Sequence, residues 1–229
     1  MKKNVIVTGA HGNLGQAVVN KFLSEDYFVT GTVHRKPAVP VHAGESYEDV
    51  IIDLLKEEKC REFADDFFRN QGEIHVAVLT AGGFAMDNIA TTSTEDIYKQ
   101  YQLNFETAYN MARPIFLQMM KQKSGRIFLI GSRAGLDVAK SKGVVAYALS
   151  KSLIFRLAEM MNAEANGTDV TISVIVPSTI DTSENRKDMP GADFTTWVTP
   201  QQIADVIYFY CLPEANIIRE SVIKVYNNS

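Results

Sequence analysis

Tyr147 and Lys151 stand four residues apart in the run Tyr147, Ala148, Leu149, Ser150, Lys151. On a helix that spacing puts both side chains on one face, with β-carbons about 5 to 6 Å apart. A phenol of ordinary pKa, about 10, is a poor acid or base at neutral pH, and an adjacent ammonium or cationic nicotinamide favours its ionised form. The pair therefore reads as a proton-transfer unit in which Lys151 tunes Tyr147, although the same spacing also occurs as plain helix surface. Ser132 closes the run Ile130, Gly131, Ser132, Arg133 ahead of that helix, where its hydroxyl could hold a substrate oxygen or simply make a strand-end turn. Asn104 falls in the helical stretch Glu95 to Met111. It could fix a water beneath Lys151 and join a proton relay; a helix kink is the structural alternative.

The start of the chain points to a bound cofactor. Thr8, Gly9, Ala10, His11, Gly12, Asn13, Leu14 and Gly15 lie between a β-branched run, Asn4 to Thr8, and apolar residues at helical spacing, Leu14 to Leu23. Glycines in such a turn let the backbone approach a pyrophosphate, and the helix N-terminus favours its negative charge. Dinucleotide binding is expected, with a tight turn of a nucleotide-free flavodoxin-like domain as the alternative. A free ribose usually meets an acid at the end of the second strand. Here that end reads Val33, His34, Arg35, Lys36, while Glu25 and Asp26 fall at the strand's other end. Arg35, beside His34, could pair with a 2′-phosphate, so NADP(H) is preferred and NAD(H) is the alternative; a solvated basic turn is the plainer reading. Asp53, after the third strand, could accept from an adenine amino group or cap a helix.

Strands are expected at Asn4 to Thr8, Phe28 to Val33, Val50 to Ile52, His75 to Leu79, Gly125 to Ile130, Thr171 to Val176 and Ser221 to Tyr226, mostly separated by helices. Continuous apolar strands in such alternation predict an α/β fold, a doubly wound parallel sheet of the Rossmann type with helices on both faces. Residues 1–229 suit one such domain. Pro37 to Gly44 is irregular, and Ser178 to Pro200 reads as a long functional loop without periodicity. Hydrophobic residues make up 46% of the chain and charged residues 22%, which predicts a packed core. The net charge of −4 offers no basic surface for nucleic acid. No apolar stretch suits a membrane span, no cleavable leader is evident, and a cytoplasmic protein is expected. Cys60 and Cys211 are isolated, so no metal site is expected.

The glycine turn, Thr80, Ala81 and Gly82 after the fourth strand, Ser132, Tyr147, Lys151 and the segment Pro177 to Thr182 together resemble the short-chain dehydrogenase/reductase family over essentially the whole chain. Within it, Ala81 to Phe84 and Asp181 to Trp197 are most similar to the dihydropteridine reductase branch. The resemblance implies that Tyr147 donates the proton, that Lys151 binds the nicotinamide ribose and lowers the tyrosine pKa, and that Ser132 and Asn104 complete a tetrad. It further implies that Thr8, Gly9, Gly12, Leu14 and Gly15, with Asn13 among them, hold pyrophosphate. Asp53 and Leu54 would flank adenine, Ala81 and Gly82 the adenosine ribose, and Pro177, Ile180 and Thr182 the carboxamide. Phe84 could stack on a flat substrate, and Trp197 is placed with it.

Three departures accompany the resemblance. The glycines fall at Gly9, Gly12 and Gly15, a form shared with the dihydropteridine reductases rather than with the commonest members. The loop from Ser132 to Tyr147 is about two residues longer than is usual. That branch carries alanine where Ser132 stands and an acid where Val33 stands, which points to a different carbonyl or imine reduced with NADPH. A general carbonyl reductase and a non-catalytic dinucleotide-binding regulator are the alternatives. The stretches Glu95 to Lys121 and Tyr147 to Glu164 are apolar beyond one sheet face's need, which predicts a homodimer or homotetramer through paired helices.

Overall fold

A computed structural model describes residues 2–35 and 44–228; Lys36 and all of the irregular segment except Gly44 lie outside the described residues. Among the described residues, seven strands form one parallel sheet in the order β3-β2-β1-β4-β5-β6-β7. They are β1 (Asn4–Thr8), β2 (Phe28–Val33), β3 (Tyr47–Ile51), β4 (Val76–Leu79), β5 (Ser124–Ile130), β6 (Asp169–Pro177) and β7 (Val222–Val225). The first two match the sequence expectation in both bounds. The third differs: it begins at Tyr47 rather than Val50, because this edge strand carries Glu48 and Asp49 and is half exposed, so its apolar pattern is weak.

The inner strands are buried on both faces, as their apolar runs require. In β1, Ile6 packs into one core and Val5 and Val7 into the other, the alternation of a pleated strand. Helices α1 (Asn13–Ser24) and α8 (Pro200–Phe209) cover the Val5 face. On the Ile6 face lie α2 (Glu57–Gln71), α4 (Thr107–Gln122) and α6 (Val145–Glu164). Burying each such aliphatic side chain contributes about 1.5 to 3 kcal/mol. Three shorter helices, α3 (Thr94–Tyr101), α5 (Arg133–Leu136) and α7 (Ser183–Asp188), follow β4, β5 and β6.

The expected helix from Glu95 onward is interrupted. Between α3 and α4, Gln102–Glu106 forms a π-helical turn with Asn104 at its centre, and the Thr107 N–H reaches back to the Gln102 carbonyl. Such turns widen a helix locally and often lie at functional sites. The sheet's growth direction reverses between β1 and β4, so a crevice opens at their carboxyl ends, where doubly wound sheets bind ligands.

Candidate active site

The glycine turn occupies that crevice. Gly9 adopts φ +63°, in the left-handed region, and a side chain there would meet the Ala81 backbone nitrogen at 3.1 Å. Gly15, in the first turn of α1, lies so close beneath Gly9 that a Cβ would sit 2.1 Å from the Gly9 carbonyl oxygen. Thr8 accepts the Ala81 N–H at 3.2 Å, and the Thr80 hydroxyl donates to the Thr8 carbonyl at 2.6 Å, so the two strand ends are tied together. Helix α1 starts at exposed Gly12 and Asn13 with no side-chain cap and no acid in its first turn. An uncapped helix start of this kind leaves first-turn backbone donors without side-chain acceptors, and the cradle fits a pyrophosphate.

Tyr147 and Lys151 rise from the first turns of α6, with Lys151 Nζ 6.0 Å from the phenol ring centroid. The sequence lacks a capping residue at Val144; Asp87 supplies one from a distant loop, accepting the Ala146 N–H at 3.2 Å. Lys151 is only 5% exposed and donates to the Ile130 carbonyl at 2.8 Å. Burial pushes its pKa down to about 8. Tyr147 is half-buried, and burial raises its pKa, with the Ser132 hydroxyl pulling it back. The expected lowering of the phenol by Lys151 is therefore not what this geometry produces, because the ammonium is turned to the Ile130 carbonyl and desolvation dominates. Ser132 caps α5, its oxygen taking the Gly135 N–H at 3.0 Å, so the turn reading holds and its proton is still available to the phenol. Phe84, 62% exposed, sets its ring edge-on to Tyr147 with centroids 5.0 Å apart.

Asn104 is 1% exposed and accepts the Gly83 N–H at 3.0 Å. Its oxygen and the Lys151 ammonium both face Gly82. Tyr147, Lys151, Ser132, Asn104, Gly82 and Phe84 are thus brought to one edge of the sheet from β4, β5, α6 and the π-helical turn.

His34 and Arg35 lie exposed at the end of β2, and Arg35 has no acidic partner among the described residues. Asp53 does not cap α2; its carboxylate takes the Leu55 N–H at 3.0 Å in a tight turn, and Leu54 packs half-buried against the core. His11 lies in the glycine turn. Its imidazole meets both oxygens of Asp49, 38 residues on, at 2.9 and 3.1 Å, and Tyr47 donates to the same carboxylate.

Pro177 ends β6, Ile180 bridges to Val198, and Thr182 caps α7 by accepting the Asn185 N–H. The segment Ser178 to Pro200 is thus more ordered than its sequence suggests. Asn227, in a left-handed conformation, holds it down by donating to the carbonyls of Thr195 and Trp197, both at 3.0 Å. Trp197 departs from expectation: it is 6% exposed and packed on Phe194 at 4.8 Å, so its ring anchors the loop internally instead of facing a substrate.

The family model for short chain dehydrogenases matches residues 3–192. The chain belongs to the short-chain dehydrogenase/reductase family. Among its relatives, a cyclic-di-GMP-binding biofilm dispersal mediator protein of Escherichia coli is 25% identical over 94% of this chain and 92% of its own. A dihydropteridine reductase of Dictyostelium discoideum is 25% identical over 91% and 87%. A 3-oxoacyl-[acyl-carrier-protein] reductase of Haemophilus influenzae is 23% identical over 90% and 81%. The solved structure of ElxO with NADP bound shares the fold at a TM-score of 0.89 and 24% identity, covering 98% of this chain and 97% of that one. As a short-chain dehydrogenase/reductase, the chain is an NAD(P)-dependent oxidoreductase.

Proposed function

We propose that this oxidoreductase is an NADPH-dependent reductase of a flat, conjugated substrate, a dihydropteridine-like ring or a carbonyl compound, with Tyr147 as proton donor. The observation that carries the reading is the Tyr147 cluster: a half-buried phenol within reach of the Ser132 hydroxyl, flanked by the exposed Phe84 ring, above a buried Lys151.

The residues present fit a dinucleotide. Thr8, Gly9, Gly12, Asn13, Leu14 and Gly15 form the pyrophosphate cradle, and His34 and Arg35 stand ready for a 2′-phosphate. Asp53, Leu54, Ala81 and Gly82 border the adenosine, and Pro177, Ile180 and Thr182 the carboxamide. When bound, the reduced cofactor supplies a hydride. Tyr147 gives its proton to the substrate heteroatom, and its raised pKa keeps that proton in place until it is needed. Ser132 donates to the same heteroatom and orients it. Lys151 holds the ribose and, with Asn104, returns a proton to Tyr147. Phe84 stacks on the flat substrate. Arg35, with no acidic partner among the described residues, favours the phosphorylated cofactor, which cells keep largely reduced, and so the reductive direction.

Exposed apolar residues on the outer faces of α6, Leu149, Leu153 and Met160, and of neighbouring α3 and α4, Tyr98, Tyr101 and Tyr109, support assembly through paired helices. The deciding test is titration with NADPH and NADH, following nicotinamide fluorescence with and without quinonoid dihydropterin, aldehydes or diketones. Binding of NADPH at least about tenfold tighter than NADH, with consumption in the presence of a substrate, is expected. Failure of both cofactors to bind would end the reading.

A further inference from the structure

The one buried residue of α3 is polar: Gln100, 7% exposed, in a position where an amphipathic helix normally presents an apolar side chain. Its carbonyl oxygen accepts from Asn104 Nδ2 at 2.9 Å across the start of the π-helical turn. The second Nδ2 hydrogen goes to Ser150 Oγ at 3.2 Å. Ser150 commits its own proton to the Tyr147 carbonyl at 2.7 Å, so towards Asn104 it can only accept. The Gly83 N–H can only donate, and it points at Asn104 Oδ1. These partners fix which end of the amide is oxygen.

We propose that Gln100 is a positioning residue that holds the Asn104 carboxamide with its oxygen aimed at the space it shares with Lys151. The inference rests on the proton-return role given to Asn104 above. Asn104 has two N–H groups, and both are buried. Ser150 takes one, and Gln100 takes the other. Without Gln100 that N–H has no acceptor, and a buried unpaired donor turns to find one. Rotation of the amide swings Oδ1 away from the point above Gly82, and the path from Lys151 loses its next member. Lys151 itself, Tyr147 and the cofactor cradle are untouched by the change, so binding is spared while the proton-return step slows.

The test compares wild type with Gln100→Met, which keeps length and volume but removes the acceptor, and with Gln100→Glu, which keeps an acceptor. Two readouts are taken: hydrogen exchange of the Asn104 side-chain amide by NMR on the cofactor-free protein, and kcat, KM and NADPH affinity at steady state. In wild type the Asn104 amide should exchange far more slowly than an exposed one. In Gln100→Met its protection should collapse, and kcat should fall by about tenfold with KM and NADPH affinity within about twofold. Gln100→Glu should recover most of both. The proposal is overturned if the wild-type Asn104 amide exchanges like an exposed one, if Gln100→Met keeps kcat within about twofold, or if Gln100→Glu loses as much as Gln100→Met. A wild-type protein that binds no dinucleotide overturns the NADPH-dependent reductase reading instead, and the exchange comparison still decides the positioning.

Discussion

The Asn104 side-chain oxygen and the Lys151 ammonium converge on one point, 2.7 and 3.4 Å from where a methyl group on Gly82 would lie. A gap of that size between an acceptor and a buried donor suits one water. Gly82→Ala fills it with carbon and pushes the Asn104 oxygen aside. Turnover should fall by at least about tenfold while Tm changes little, since the site is at a rim and not in either core. Steady-state rates alongside a thermal melt test this, and an alanine variant with native kcat would show that nothing passes through the gap.

Tyr147→Phe removes one oxygen from a half-buried ring and leaves the packing against Phe84 intact. Loss of a positioned general acid costs about 10²- to 10⁴-fold in rate, with NADPH affinity retained. The same substitution separates an enzyme from a dinucleotide-binding regulator: the regulator's partner binding would not notice the missing hydroxyl.

Lys151 carries a stability cost with a definite pH window. Burial lowers its pKa from 10.5 to about 8, so the native state resists the protonated form. The penalty is full below about pH 8. Between there and pH 10.5 the unfolded chain binds the proton and the native chain does not, so stability rises with pH, and above that range the penalty is gone. Its size is on the order of 3 kcal/mol. Lys151→Met should therefore abolish turnover yet unfold at higher urea than wild type at pH 7, and the advantage should shrink towards pH 10. Equal midpoints at pH 7 would mean that the ammonium is not paying for its burial.

Arg35→Ala addresses cofactor choice. Charged hydrogen bonds to a phosphate contribute about 1.5 to 3 kcal/mol, so NADPH affinity should drop by about tenfold or more while NADH affinity stays within about twofold. Parallel fluorescence titrations read both. An equal loss for the two cofactors would place Arg35 away from the 2′ position.

On α6, Leu149 and Leu153 are one helical turn apart on the face opposite Lys151 and are substantially exposed. The double change Leu149→Glu, Leu153→Glu should convert a dimer or tetramer to monomer in light scattering, at little cost to monomer stability. A wild-type protein that already runs as a monomer would remove the paired-helix interface.

What the sequence determined by itself is local. Strand β1, the glycine turn and α1 follow one another within a few residues, and each is set by near-neighbour forces: β-branched stiffness, the freedom of Gly9, helical spacing of apolar side chains. Tyr147 and Lys151 share a helix face by geometry alone. The apolar strands β5 and β6 likewise announce a sheet covered on both sides.

What only tertiary structure decided involves partners far apart in the chain. The Asp87 cap on α6 spans 59 residues, and the His11 and Asp49 pair spans 38. The hold of Asn227 on the Trp197 loop spans 30, and no periodicity encodes any of these contacts. Edge strand β3 hides its early start because it carries an acid on each face, Glu48 on one and Asp49 on the other. From its place in a polar loop Trp197 reads as a substrate contact, but its ring packs inward on Phe194 and its backbone is held by Asn227. Asn104 was legible as a candidate, yet its π-helical turn and its two amide acceptors were not, since a buried polar residue is defined by the groups folding brings to it. The lowered pKa of Lys151 has the same origin: the residue type supplies the charge, and only packing removes the water that would stabilise it.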